Sequence, residues 1–336
     1  MNDLKHRIIM DVDTGSDDAV ALILAMLDET FDLQGITSVN GNLEVKLTTE
    51  NTLRMVEFCN KQDTVKVYRG ADLPIVSTLL PNTPQSMAPI PRREGESVPE
   101  GLHHASHIEV PKFTIKEEDD SAVVWLINKL RHEDDKSITI VAVGPLTNIA
   151  LAMRSDPRII PKIKRIVIMG GADAYAGSNS MAAEFNVWID PEAMEIVLQS
   201  GCDITVVPLD ATFSSYITPS DAEEIRAIGT PEANKVADLI LKYGTAKMLK
   251  GRDEDELRIP IHDALALCSV RYPEVLFTRD VCCHVDTSHG IAYGETVIDK
   301  RRGITANQPN CRFAFKADRE LFVSWIKDVL MKARDR

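Results

Sequence analysis

Residues 7–27 constrain this chain more than any other stretch. Ile8, Ile9, Met10 and Val12 read as a short buried strand, and 19–27 reads as a buried helix. Between them stand Asp11, Asp13, Asp17 and Asp18, four carboxylates within eight residues, with Gly15 allowing a tight turn. A strand that ends in a glycine turn and opens a helix sets these side chains at the carboxyl edge of a sheet. Open α/β folds bind their ligands there. Negative charge at a helix N-terminus is worth only about 0.3–1 kcal/mol, which accounts for Asp17 and Asp18 at most. Asp11 and Asp13 close a hydrophobic strand, where unpaired buried charge is costly. Four converging carboxylates call for a cation, and an all-oxygen donor set points to Ca²⁺ or Mg²⁺.

The remaining chain repeats the strand–helix rhythm. Strands are expected at 33–39, 65–69, 138–143, 165–169, 204–208, 281–286 and 296–299, with helices at 48–60, 121–132, 149–154, 191–199, 264–270 and 319–331. This alternation predicts an α/β fold: a single-domain, Rossmann-like open sheet, mostly parallel and flanked by helices, over 1–336. Two sections depart from it. Residues 74–112 hold six prolines between Pro74 and Pro99, then Pro111, together with Glu94, His103 and His104. A loop of that length reads as a lid or binding loop, or else as a locally disordered stretch. Residues 219–258 read as mostly helical, with helices at 219–227 and 231–250.

Acidic residues outnumber basic ones, 51 to 38, for a net charge of −13. That argues against a nucleic-acid partner, which needs a basic footprint. No apolar stretch approaches the roughly 18 residues that span a membrane. The first residues lead straight into the first strand, so a cytoplasmic location is expected. The six cysteines, Cys59, Cys202, Cys268, Cys282, Cys283 and Cys311, lack CxxC spacing and read as free thiols.

Other polar residues fall at the same sheet edge. Asn42 follows the second strand, and Thr147 follows a Gly144-Pro145 turn. Met169 ends a strand before Gly170-Gly171, and Glu184 and Asn186 lie in the next loop, placed to hydrogen-bond hydroxyls. Asp190 before Pro191 makes a helix N-cap. His262 and Asp263 open a late apolar helix.

The run Asp11-Val12-Asp13-Thr14-Gly15-Ser16-Asp17-Asp18-Ala19 resembles the DxDPGxDDA signature of the inosine–uridine-preferring nucleoside hydrolases. Asn40-Gly41-Asn42, the segment from Gly144 to Ala150, Met169-Gly170-Gly171, Ala183-Glu184-Phe185-Asn186, Asp190-Pro191 and His262-Asp263 occur in that family's order, so the likeness spans most of the chain. By that resemblance the protein would hydrolyse the N-glycosidic bond of ribonucleosides to ribose and free base. Asp13, Asp18, Asp263 and the carbonyl of Thr147 would hold Ca²⁺. Asp17, Asn42, Met169, Asn179, Glu184, Asn186 and Asp263 would contact the nucleoside. Asp13 would act as general base, and His262 would protonate the departing base. The resemblance also implies a homodimer or homotetramer.

Three positions depart from the family pattern. Thr14 replaces its proline, Asn179 stands one place late in Gly177-Ser178-Asn179, and Glu94-Gly95 occupies the loop where the family often presents His-Gly. Two other readings stay open at this level. One is a Ca²⁺-dependent nucleoside- or ribose-binding protein without turnover. The other is a haloacid-dehalogenase-type phosphatase, suggested by Asp11-Val12-Asp13, although that motif wants Thr where this chain has Gly15.

Overall fold

The computed structural model describes residues 5–76, 79, 107–110, 113–175, 177–178, 180–248, 257–301 and 307–335. Its first element, β1 (His6–Val12), alternates its side chains between two cores, sending Ile8, Met10 and Val12 to one face and Ile9 to the other. Helix α1 (Ser16–Leu27) follows and is buried from Ser16 to Met26. An Ala/Val/Leu/Ile sequence with no polar stripe can only be satisfied by cover on every side. Full burial of each Leu or Ile there stabilises the fold by about 1.5–3 kcal/mol.

Then come β2 (Phe31–Ser38), α2 (Val45–Phe58), β3 (Val67–Arg69), α3 (Ala122–Arg131), β4 (Ile138–Ala142), α4 (Thr147–Ser155) and β5 (Ile163–Met169). After these run α5 (Phe185–Ile189), α6 (Pro191–Leu198), β6 (Ile204–Val207), α7 (Leu209–Thr212), α8 (Pro219–Arg226), α9 (Pro231–Met248) and α10 (His262–Arg271). The chain closes with β7 (Leu276–Val281), β8 (Cys283–Val285), β9 (Thr296–Ile298), β10 (Cys311–Ala317) and α11 (Arg319–Arg334).

Eight strands form one sheet in the order β3-β2-β1-β4-β5-β6-β10-β7. Every neighbouring pair is parallel except β10 with β7. The mostly parallel α/β sheet expected from the sequence is therefore present, and its chain order reverses between β1 and β4. Both strands end there, at the switch-point crevice where such sheets take ligands. One core cluster unites α1, α2 and α8–α11 against the sheet; the other unites α3, α4 and α6 on the opposite face.

Several element boundaries differ from the sequence reading. Helix α1 starts at Ser16 rather than 19, because Asp18 in its first turn accepts from the backbone N–H of Gly15 and caps it. Helix α2 begins at Val45 instead of 48, and α4 at Thr147 instead of 149. The expected strand at 281–286 is split between β7 and β8, which belong to different sheets. Strand β10 was not foreseen, although it sits between β6 and β7 in the main sheet. The segment 172–190, expected to hold Glu184 and Asn186 in a loop, contains the helix α5. His103, His104, Glu94 and most of the 74–112 loop lie outside the described residues, as does Asn179.

Candidate active site

The crevice at the ends of β1 and β4 is lined by carboxylates. One oxygen each from Asp17, Asp18 and Asp263 lies within 4.8 Å of the others, and all three side chains are buried. Asp17 and Asp18 stand in the first turn of α1, and Asp263 in the first turn of α10. Two helix N-termini thus point at one place, and each brings the positive end of its dipole to it.

Asp13 lies beside this trio, 1% exposed. Its backbone N–H donates to Asp18 Oδ1 at 3.1 Å, and its Oδ2 accepts from the backbone N–H of Asn42 at 2.6 Å. The amide of Asn42 donates onward to Asp18 Oδ2 and to the carbonyl of Asp13. Asp13 Oδ1 is buried without a hydrogen-bond partner. Two glycines let the backbone close over this carboxylate. A Cβ on Gly41 would stand 2.1 Å from Asp13 Oδ2, and one on Gly144 would stand 2.9 Å from Oδ1.

Burial, then the charges of Asp18 and Asp17, push the Asp13 carboxyl well above its ordinary range. Asp263 moves the same way, through burial and then the charges of Asp17, Asp18 and Asp13. Asp18 is pushed up to about 7 by burial and the charge of Asp17. Converging buried carboxylates of this kind oppose one another unless a cation joins them. The phenol of Tyr243 on α9 is raised as well, by burial and then by Asp17, Asp263 and Asp18. Tyr243 thus feels the charge of these carboxylates from α9.

Asp11 sits one layer deeper, fully buried and pushed up to about 7 by desolvation. Thr37 and the amide of Asn148 both donate to its Oδ1, and Asn148 also bonds the carbonyl of Ser38 and the N–H of Ala71. This carboxyl ties the ends of β1, β2 and α4 together.

Thr147 opens α4, and its hydroxyl donates to Asp190 Oδ2 at 2.6 Å. Asp190 is the N-cap of α6 as expected, accepting from Ala193 N–H. It accepts from Ile75 N–H as well, so it joins α4, α6 and the start of the long loop. Glu184 caps α5, taking bonds from the N–H groups of Asn186 and Val187, and it also accepts from Gly171 N–H. Asn186 donates its amide to the carbonyls of Val143 and Met169 and approaches Met169 Sδ at 3.4 Å. Glu184, Asn186 and Met169 thus form one connected wall at the ends of β4 and β5.

His262, buried beside Asp263, has its Nδ1 2.7 Å from the hydroxyl of Thr212. The ring of Phe213 meets it edge-on with centroids 5.6 Å apart, and Tyr175 lies 4.9 Å beyond Phe213. Tyr175 is half exposed, so an aromatic row runs from the surface to His262. Sequence reasoning missed Thr212, Phe213, Tyr175 and Tyr243. None carries a local signal, and Thr212 meets His262 only through the packing of α7 against α10.

Comparison with known proteins agrees with this architecture. The family model "Inosine-uridine preferring nucleoside hydrolase" matches residues 8–324. The pyrimidine-specific ribonucleoside hydrolase RihA of Enterobacter sp. (strain 638) is 35% identical over 329 residues, covering 96% of this chain and 97% of the relative. The same enzyme of Escherichia coli O1:K1 / APEC is 34% identical over an equal span, 96% of this chain and 97% of its own. Among solved structures, the plant nucleoside hydrolase PpNRh1 superposes with a TM-score of 0.83 at 27% identity, covering 97% of this chain and 99% of its own. A purine-preferring ribonucleoside hydrolase from Gardnerella vaginalis gives 0.83 at 26%, covering 98% and 100%.

Proposed function

Because this chain belongs to the inosine-uridine preferring nucleoside hydrolase family and is a ribonucleoside-hydrolysing enzyme, we propose that it does so with a calcium ion held by its acidic crevice. The phosphatase and the non-catalytic binding readings give way to that membership. The observation that carries the calcium proposal is the convergence of buried carboxylates: Asp17, Asp18 and Asp263 with oxygens within 4.8 Å, and Asp13 beside them with a partnerless Oδ1. This donor set is all oxygen and anionic, which suits a hard cation of flexible coordination. Asp13, Asp18, Asp263 and the carbonyl of Thr147 are the proposed ligands. When bound, the ion supplies orientation of the ribose hydroxyls and a more acidic attacking water.

The protein's own groups do the rest. Asp13 takes the proton of the attacking water, a role favoured by its fixed Oδ2 and its otherwise unpaired Oδ1. Asp17, Asn42, Glu184, Asn186 and Asp263 grip the ribose hydroxyls, with Met169 closing the floor and Asn179 completing the substrate contacts. Glu184 and Asn186 are well suited because their own backbone bonds lock their rotamers before substrate arrives. The C1′–N bond breaks through an oxocarbenium-like state, stabilised by the surrounding carboxylate and amide oxygens. His262 protonates the leaving base. Relatives 34–35% identical are named for pyrimidine ribonucleosides, so uridine and cytidine are the first substrates proposed, ahead of inosine. A homo-oligomeric, cytoplasmic enzyme with no nucleic-acid partner completes the reading.

The test is release of free ribose from uridine, cytidine, inosine and guanosine, before and after stripping calcium with a chelator. Release that stops on chelation and returns with added Ca²⁺ is expected. Asp13→Ala should lower kcat at least 10³-fold, by analogy with the roughly 10²–10⁴ that general-base groups contribute, with an unchanged far-UV spectrum. Full activity in chelator would sink the metal assignment, while no ribose from any nucleoside would sink the substrate class.

A further inference from the structure

We infer that Thr212 is a positioning residue for the reaction: its hydroxyl fixes the ring of His262 with hydrogen on Nδ1, so that Nε2 is the nitrogen that serves the departing base. This rests on the reading of His262 as the group that protonates the base.

The geometry is specific. Thr212 Oγ1 is 2.7 Å from His262 Nδ1 and 3.3 Å from the carbonyl of Leu209, one turn earlier in α7. A hydroxyl has one hydrogen and two lone pairs. With its hydrogen turned to the Leu209 carbonyl, which can only accept, the oxygen offers a lone pair to Nδ1. The ring must then carry hydrogen on Nδ1, and its two nitrogens are no longer equivalent.

The surroundings hold this arrangement. Thr212 is fully buried, and its backbone N–H is bonded to the carbonyl of Pro208. Ser215 donates to the carbonyl of Thr212, and Phe213 packs edge-on against the imidazole. A hydrogen bond at Nδ1 and an aromatic edge at its side therefore both act on the ring. Rotation about the Cβ–Cγ bond would break the Nδ1 bond to Thr212. When Nε2 gives its proton to the leaving base, Nδ1 keeps its hydrogen on Thr212, and the neutral ring is left in a bonded form.

The experiment compares Thr212→Val, which is nearly isosteric but lacks the hydroxyl, with Thr212→Ser, which keeps it. Each is assayed on uridine and inosine, and on 4-nitrophenyl ribofuranoside, whose leaving group needs no proton. Thr212→Val should lose about tenfold or more in kcat on the nucleosides, part of the roughly 10²–10⁴ available to a general acid. It should stay within about twofold on the nitrophenyl riboside, and Thr212→Ser should recover most of the loss. Unchanged kcat on nucleosides, or equal losses on both substrate types, would overturn the inference. His262→Ala is run alongside. Equal losses there would remove His262 from the acid role and this inference with it, whereas a selective His262→Ala beside an unselective Thr212→Val would remove Thr212 alone. A second readout is independent of turnover and of how well the valine variant folds. The ¹⁵N spectrum of histidine-labelled wild-type enzyme, assigned with His262→Gln, should show the Nδ1–H tautomer at His262, and the Nε2–H form would refute the assignment.

Discussion

Asp28 shows how much one carboxylate can join. It caps the C-terminus of α1 and accepts from Arg271 on α10, from Trp325 Nε1 on α11 at 2.9 Å, and from Thr30. Burial alone would push this carboxyl up, but the bonds from Trp325, Thr30 and Arg271 outweigh burial and hold it below its ordinary value. The sign follows directly. A carboxyl depressed in the folded state contributes stability above its unfolded value, near 4, and that contribution is lost as pH falls through the folded value. Asp28→Asn should cost roughly 1.5–3 kcal/mol at pH 7, the range for hydrogen bonds to charged groups. It should also flatten the acid limb of a denaturation profile below about pH 4. A variant whose loss is the same at pH 7 and pH 3 would contradict this. Nothing in the sequence near Asp28 announces these partners, since Arg271 and Trp325 lie about 240 and 300 positions away.

At the scale of elements, the turns matter as much as the strands they end. The Asp11–Asp18 run was legible because a hydrophobic strand, a glycine turn and an apolar helix are all local patterns, and because buried charge needs an explanation. The rise of β10 into the main sheet was not legible. Its sequence, Cys311–Ala317, alternates only loosely, and its partners β6 and β7 are chosen by packing rather than by adjacency. The site was likewise read in part. Glu184 and Asn186 stood out as polar residues at a sheet edge, but the helix cap that fixes Glu184 depends on α5, a five-residue helix too short to leave a periodic signal. Gly41 gives the sharpest test of turn geometry. Its missing Cβ makes room for Asp13 Oδ2, so Gly41→Ala must move that carboxylate. A displacement near 1 Å at a reacting group costs on the order of 10²-fold. We therefore expect Gly41→Ala to lose kcat on that scale with a Tm within a few degrees of wild type. Retained kcat would show that the loop yields without disturbing Asp13.

Over the whole molecule, the carboxylate crevice is assembled from parts of the sequence about 250 positions apart: Asp13, Asp17 and Asp18 from the first strand–helix unit and Asp263 from α10. A cation bound there joins parts that the chain itself leaves far apart. Binding to the folded form alone stabilises by RT ln(1 + [L]/Kd), about 2.7 kcal/mol at a hundredfold excess over Kd. Calorimetry should thus show Tm rising with calcium concentration, and Asp263→Asn should lose most of that rise while keeping a cooperative transition. A calcium-independent Tm in the wild type would speak against a cation at this place.

The complete burial of α1 carries a consequence for biosynthesis. This helix is made well before α9, α10 and α11, which supply much of its cover. At a translation rate of about 5–20 residues per second, the ribosome needs tens of seconds to supply them. During that interval a strongly apolar segment emerges with its permanent neighbours still unsynthesised. Exposed apolar segments of this kind are aggregation-prone until their partners arrive, so α1 is the stretch of this chain whose burial waits longest on the later helices.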